Sequence, residues 1–502
     1  MIAPASRTLS PDPKELEKTC REAFDTIARL EKELDWLRRQ VFGRKADTVP
    51  PPPQPEMVDL FAHEANPAAP AAPAPSKETI TYARKKPGHG RKAFPAHLPR
   101  VEEIVEPKDA EKVCACCGKA KTKIGEDVCE VLEQVPQKLF VRRIVRPRYA
   151  CPAHAEEGVA QANAPQRFIP KGNVGEGLLA EVLLSKYVNH QPLSRQEKNF
   201  ARMGVSIPVT TMVGWMEAAT ERLAPIVERL RQKIIQGGVA YSDDTPLPVL
   251  KEGRDQGAHR GYMWVYSDGR SAVVFDYTSG RGQEGPKTFL AGFTGYLHSD
   301  AYCVYGTLHG EGRVKPAFCW AHARRKFVAA LRGGEERARR AVQWCDRLFL
   351  IDRYARNKKM SEAEVLALRE RVSEGMLSKL DAYLKGIETS VLPKSALGEA
   401  IGYLRRHWAG FRTFLSDGRL SLDNNFSERQ IRQVVIGRKN YMFCGSEEGA
   451  RRAAILYSLV CTCKVLDVDP WKYLMKVFLV LAESPSTSPE SLTPLSLKLH
   501  LG

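Results

Sequence analysis

The chain has no apolar run long enough to cross a bilayer. Its longest, Ala453–Cys463 and Val477–Ala482, fall short of the ~20 residues that a spanning helix needs. No membrane role is expected. The N-terminal stretch MIAPASRTLSPDPKELEK lacks the apolar core of a secretory signal. The 12 cysteines are therefore expected in a reducing cytoplasm, where clustered thiols bind metal more often than they pair. Acid is in deficit as well. Lys and Arg total 76 against 59 Asp and Glu, a formal +17. Such an excess favours an anionic polymer as partner, nucleic acid before a membrane surface.

What is present divides into blocks. A chain of 502 residues is too long for one core. Over residues 14–45, Leu16, Cys20, Ala23, Ile27, Leu30, Leu34, Leu37 and Val41 alternate spacings of four and three, with charged flanks. This is a coiled-coil seam or an amphipathic helix packed on its own protein. Residues 46–80 form a linker expected to be disordered, because nine prolines and seven alanines fall within 48–78. Residues 81–100 carry six Lys or Arg and no acid. They read as a solvated tail or as an arm that tracks phosphates, with Arg91 and Lys92 as candidate contacts.

Residues 101–170 read as a small zinc-binding module. Cys114-x-x-Cys117 and Cys151-x-x-His154 bracket two strand-like runs. Two tight pairs on knuckle turns can supply the tetrahedron that zinc requires. Cys116 can substitute in the first pair, and ordinary reduced cysteines near a core are the plain alternative. Residues 171–235 read as helical. Helix, Gly204-containing turn and a second helix from Val209 resemble a helix-turn-helix. Arg195, Thr210 and Thr211 are its candidate DNA contacts, although a plain helical hairpin is the commoner arrangement.

Residues 236–450 change to strand patterns. GGVAYSDDTPLPVL, GYMWVYSD and SAVVFDYTS read as β-runs. PKTFLAGF reads as helix, and GYLHSDAY and KPAFCWAHARRKF as two further short strands. Helices follow over 324–415, then a capped helix within GRLSLDNNFSERQIRQVVIGRK. Helices over 451–482 break near Asp469-Pro470, and 483–502 is expected to be a disordered tail.

Phosphodiester transfer needs an activated oxygen nucleophile and charge neutralisation at phosphorus. Two divalent ions held by a few carboxylates supply both. Asp243 lies among apolar residues of the first β-run, where a charge is costly unless paired or metal-bound. Asp300 ends the fourth run. Glu428 shares a helical stripe with Ile431 and Val435 that should face the sheet. On spacing alone these acids could equally cap turns or, for Glu428, pair with Arg432.

The blocks LRRQVFGRK, RKAFPAHLPR, KYVNHQPLSRQEKNFARMGVSI, SDDTPLPVL, LHSDAY, CWAHARRKF, LDNNFSERQIR, ILYSLVCTCK and DPWKYL together resemble transposases of the insertion-sequence-66 family. The likeness runs from about Leu34 to Val480. It implies a multidomain α+β protein: coiled-coil helix, zinc module, helix-turn-helix region, C-terminal helices, and a ribonuclease-H-like catalytic domain with a helical insertion over about 328–415. It implies that Asp243, Asp300 and Glu428 are a catalytic triad binding Mg²⁺ or Mn²⁺. It further implies terminal inverted repeats and target DNA as partners, at least a homodimer, small accessory transposition proteins, and a bacterial, nucleoid-associated location. Arg429, Arg432, Arg438 and Lys439 become candidate phosphate contacts. Two departures stand out. Ser242 and Asp244 replace the family's usual alanine and glutamate, so Asp244 competes for the first ligand position. His154 stands where a fourth cysteine is common, and histidine is an acceptable zinc ligand.

Two other readings compete. His322-x-x-Arg325 with Tyr354 loosely mimics a tyrosine recombinase, although the surrounding β-runs do not suit one. A repressor that binds DNA ends without cutting would not need all three acids.

Overall fold

The computed structural model describes residues 139–150, 159–170, 172–251, 257–310 and 312–501. The coiled-coil seam, linker, basic arm with Arg91 and Lys92, and Cys114, Cys117, Cys151 and His154 lie outside these residues. Described first is a short antiparallel ribbon, β1 (Arg148–Ala150) with β2 (Val159–Gln161).

Helices α1 (Glu176–Tyr187), α2 (Leu193–Arg202) and α3 (Val209–Gln236) follow. In α3, Met212, Trp215, Met216, Ala219, Leu223, Ile226, Leu230 and Ile234 recur at helical spacing and are all buried. That stripe carries the helix through Pro225, which removes one backbone donor. The helix-turn-helix region is not a separate module. Its buried residues join a single core with β4, β5 and the C-terminal helices.

A five-stranded sheet comprises β3 (Val239–Leu250), β4 (Ala258–Ser267), β5 (Val273–Thr278), β6 (Gly295–Ser299) and β7 (Val314–Phe318). Its order is β5-β4-β3-β6-β7. The first three strands form an antiparallel meander, and β6 and β7 run parallel to β3. Helix α4 (Glu284–Phe289) precedes β6, and α5 (Gly306–Gly310) precedes β7. The β3–β6 pairing needs glycine. Gly295 has φ +129°, and a Cβ there would sit 2.1 Å from the Gly238 carbonyl oxygen. That same oxygen accepts from Tyr296 N at 2.9 Å.

After β7 the chain is helical: α6 (Trp320–Arg332), α7 (Ala338–Asn357), α8 (Glu362–Leu368), α9 (Glu374–Glu388), α10 (Ala396–Arg406) and α11 (Trp408–Arg412). The expected strand KPAFCWAHARRKF is thus half strand and half helix. Cys319 caps the change, and Ala323 and Phe327 bury the helical stripe. This insertion has its own core around Trp320, Phe327, Leu380, Leu404 and Phe411.

Helix α12 (Asn425–Tyr441) packs on β3 and β4 through Ile431 and Val434. It is followed by α13 (Glu447–Val465) and α14 (Pro470–Glu483). Asp469 caps α14 through Trp471 N at 2.8 Å, which explains the break at Asp469-Pro470.

The expectation of a disordered tail is wrong. A 3₁₀ turn at Pro489–Leu492 leads into α15 (Pro494–Leu501). Leu492 and Leu497 are buried, Tyr473 donates to Leu492 O at 2.9 Å, and Arg229 pairs with Glu490 at 2.9 Å. A few leucines anchor a segment whose Ser/Pro composition suggested none.

Candidate active site

Parallel pairing sets Tyr241 opposite His298. Continuing that register by two residues brings Asp243 beside Asp300, just past the end of β6. Asp243 follows Tyr241 by two and points to the same face. Glu428 enters from the first turn of α12. Burial, then the charges of Asp300 and Glu428, push the Asp243 carboxyl up to about 7. One backbone donor, Asp244 N at 2.9 Å, pulls the other way. Two acids from distant parts of the chain thus act electrostatically on the third.

Asp244 is engaged differently. Arg281 grips it with two hydrogen bonds, at 2.9 and 2.8 Å, and lies 3.9 Å from the centre of the Tyr302 ring. Burial raises the Asp244 carboxyl while Arg281 opposes the rise. Asp300 accepts from Tyr302 N at 3.0 Å, and its carbonyl accepts from Tyr403 at 2.8 Å.

The loop before α12 is fastened to β3. Tyr241 accepts from Ser421 N at 2.8 Å, and Trp320 N donates to Leu422 O at 2.8 Å. The Asn424 side chain does not cap its own helix. Its Nδ2 donates to Ser242 O at 2.8 Å, and its backbone N–H points at the Cys319 sulfur at 3.2 Å. Tyr305 donates to Ser242 Oγ at 2.8 Å. Arg369, buried against Asp352 at 2.7 Å, also donates to the carbonyls of Phe414, Asp417 and Leu420. The insertion therefore braces the loop that delivers Glu428.

Glu428 meets His322 rather than Arg432, with His322 Nε2 3.8 Å from Oε1. Burial and then Arg325 push the His322 imidazole down, against a smaller pull from Glu428. The buried Glu428 Oε1 has no hydrogen-bond partner, which is what a carboxylate shaped for a cation leaves behind. Among the described residues the ligand atoms of Asp243, Asp300 and Glu428 do not form a group lying within 4.8 Å of one another, yet carboxylate oxygens, one of them orphaned, are the donors that a hard divalent cation such as Mg²⁺ takes.

A cleft of about 530 Å³ opens at the start of α12. Five arginines line it: Arg270, Arg353, Arg356, Arg419 and Arg429. Its acids are spent locally, Asp268 on backbone donors of Arg270, Ser271 and Ala272 and Asp423 on Asn425 N. Arg270 and Arg419 are paired, with Glu362 at 2.6 Å and Asp417 at 2.8 Å. Arg353 and Arg356 are exposed and make no ion pair among the described residues.

The sequence-derived DNA contacts are scattered by comparison. Arg195 is exposed on α2, and Thr210 is exposed and Thr211 half-buried in the first turn of α3. That turn is already served by Glu197, which accepts from Val209 N at 3.3 Å. Arg429, Arg432 and Lys439 are exposed on α12. Arg438 is turned inward to Thr245 Oγ1 and the Pro246 carbonyl. Tyr354 stands half-exposed on α7. Sequence reasoning missed Arg281, Arg353, Arg356 and Arg419, which are ordinary surface arginines without the fold. Asn424 lay within LDNNFSERQIR but gave no sign that its amide reaches β3.

Fold and site define an α+β protein that gathers acids at the middle of a mixed sheet beside a basic cleft. The chain belongs to the IS66 transposase family: the family model described as Transposase IS66 family matches residues 171–452. A model for the zinc-finger binding domain of transposase IS66 matches 111–153, spanning Cys114, Cys117 and Cys151 and ending one residue before His154. One described as Transposase C of IS166 homeodomain matches 29–102. Two relatives from Sinorhizobium fredii (strain NBRC 101917 / NGR234) are each 32% identical. Uncharacterized protein y4hP aligns over 93% of this chain and 88% of its own length. For uncharacterized protein y4jD the shares are 93% and 92%. No helix among the described residues is long and apolar enough to cross a membrane.

Proposed function

We propose that the protein is a DNA transposase that cuts transposon ends and joins them to target DNA, with Asp243, Asp300 and Glu428 as its catalytic triad. One observation carries the reading: Asp243 is held near neutrality by burial and by the charges of Asp300 and Glu428. Mutually repelling carboxylates persist at a functional site where a cation relieves them. The strand order, an antiparallel meander extended by two parallel strands, supports a ribonuclease-H-like catalytic domain with a helical insertion between β7 and α12.

Asp243, Asp300 and Glu428 would hold Mg²⁺ or Mn²⁺, which when bound activates an oxygen nucleophile and neutralises charge at phosphorus. The other residues position these three. Arg281 neutralises Asp244 and so keeps the neighbouring acid out of the cluster. Asn424 and Tyr241 fix the first turn of α12, and with it Glu428. Arg353, Arg356 and Arg429 offer exposed guanidinium groups for the DNA backbone. The zinc module, α2 and α3 would read terminal repeats, and the N-terminal seam would pair two subunits across two DNA ends. Small accessory proteins fit the same picture.

The test is Mg²⁺-dependent cleavage and strand transfer on DNA carrying candidate ends. Asp243→Asn, Asp300→Asn and Glu428→Gln should each abolish both steps while the chain stays folded. Undiminished cleavage by any of the three would remove that residue from the triad. A covalent protein–DNA adduct formed in EDTA would favour tyrosine chemistry instead.

A further inference from the structure

Beside the acidic cluster lies a second set of ligands of a different chemical kind. The Cys319 sulfur, a His322 ring nitrogen and a Glu428 carboxylate oxygen all lie within 4.8 Å of one another. Cys319 ends β7's run into α6, His322 sits in the first turn of α6, and Glu428 comes from α12. Two separate parts of the chain, the junction of β7 with α6 and the start of α12, therefore set the grouping.

Two further observations point to a cation. First, the 3.8 Å between His322 Nε2 and Glu428 Oε1 is too long for a hydrogen bond. A tetrahedral ion at ~2.0–2.2 Å from each would hold the two about 3.3–3.6 Å apart, a closure of a few tenths of an ångström. Glu428 Oε1 and His322 Nδ1 are buried without hydrogen-bond partners. Second, the sulfur accepts a backbone hydrogen bond of the kind that a metal thiolate usually keeps. Asn424 N–H donates to it from 3.2 Å. Donors of this kind orient and stabilise a ligating sulfur.

We propose that Cys319, His322 and Glu428 form a soft metal site for Zn²⁺ or a similar transition ion, which draws Glu428 away from Asp243 and Asp300. Mg²⁺ disfavours sulfur and nitrogen ligands, whereas Zn²⁺ accepts all three donors and leaves one coordination position open. Glu428 cannot serve both ions in one geometry. Excess zinc would then act as an off-switch, a consequence that rests on the triad reading. The metal site itself does not depend on it.

The full-length chain should be loaded with Co²⁺ and, separately, with Zn²⁺, and compared with Cys319→Ser and His322→Gln. The zinc module contributes equally in all three. The wild type should hold one more equivalent of metal than either variant. Its near-ultraviolet sulfur-to-cobalt absorption should exceed that of Cys319→Ser by one thiolate's share. Equal stoichiometry and equal absorption in all three would overturn the site. If Cys319→Ser does not fold, the comparison of stoichiometry with His322→Gln still decides. A second arm measures Zn²⁺ inhibition of Mg²⁺-dependent cleavage, each protein scaled to its own uninhibited rate. The half-inhibiting concentration should rise at least tenfold in Cys319→Ser. An unchanged value with the extra cobalt equivalent present would refute the off-switch alone. No cleavage by any form would count against the transposase reading and leave the cobalt comparison to settle the site.

Discussion

Arg281 holds Asp244 with two hydrogen bonds, at 2.9 and 2.8 Å, on a strand where the next residue back, Asp243, has no such partner. Neighbours on a strand point to opposite faces, so these two adjacent acids have separate roles. The Asp244 side chain is 6% exposed and Arg281 37%. Removing the arginine strands a carboxylate that water barely reaches. Arg281→Ala should destabilise the fold by about 1–3 kcal/mol, visible as a lower urea midpoint. Asp244→Asn should retain more cleavage than Asp243→Asn. Equal loss in both would place Asp244 among the metal ligands.

The Asp243 carboxyl, raised to about 7, makes a pH prediction with a definite sign. Between roughly pH 4 and 7 the folded chain holds a proton that the unfolded chain has released. Stability of the metal-free protein must therefore fall with rising pH across that window and level off above it. Asp243→Asn removes this cost, so the metal-free variant should melt higher than the wild type at pH 8. Mg²⁺ should raise the melting temperature of the wild type at pH 8 and raise that of the variant much less. A wild type whose metal-free stability is flat from pH 5 to 8 would contradict the assigned repulsion.

Asn424 tests how Glu428 is delivered. Its side chain spans from the start of α12 to the Ser242 carbonyl on β3. Asn424→Ala leaves that carbonyl without this partner and frees the helix start. A stability loss of about 1 kcal/mol is expected. Cleavage should fall by an order of magnitude or more through kcat, with little change in DNA binding, because Glu428 then samples misplaced positions. Weakened binding with unchanged kcat would show that Asn424 serves DNA contact and not geometry.

How much of this was legible in the sequence follows from range. The meander and α3 announced themselves because their patterns are local: alternation in VAYSDD, a helical stripe from Met212 to Ile234. The boundary at Cys319 did not, because Trp320, Ala323 and Phe327 reveal helix only once their common core is known. The tail failed for the opposite reason: Leu492 and Leu497 are buried and the Leu492 carbonyl accepts from Tyr473, contacts that a composition of serine and proline does not announce. In the site, the acids stood out chemically, and only the family resemblance set Asp243 before Asp244; the Arg281 that pairs with Asp244 lies 37 residues away and no local pattern announces it. The basic cleft was invisible because its arginines come from four separate stretches of chain and no short window contains them.

That cleft yields the last prediction. Arg353 and Arg356 lie on α7, face solvent, and make no ion pair among the described residues. Nothing in the fold uses their charge, so replacing both with alanine should leave the melting temperature within a degree or two. If the DNA backbone runs through the cleft, each arginine displaces about one counterion on binding. The slope of log affinity against log salt should then shrink by roughly 2 in the double variant. Affinity should fall similarly for end-containing and unrelated DNA, because phosphate contacts carry no base information. Arg195→Ala on α2 gives the contrast: if that helix reads bases, it should cost binding to the ends more than to unrelated DNA. A double variant with an unaltered salt slope would mean that the DNA does not pass along α7.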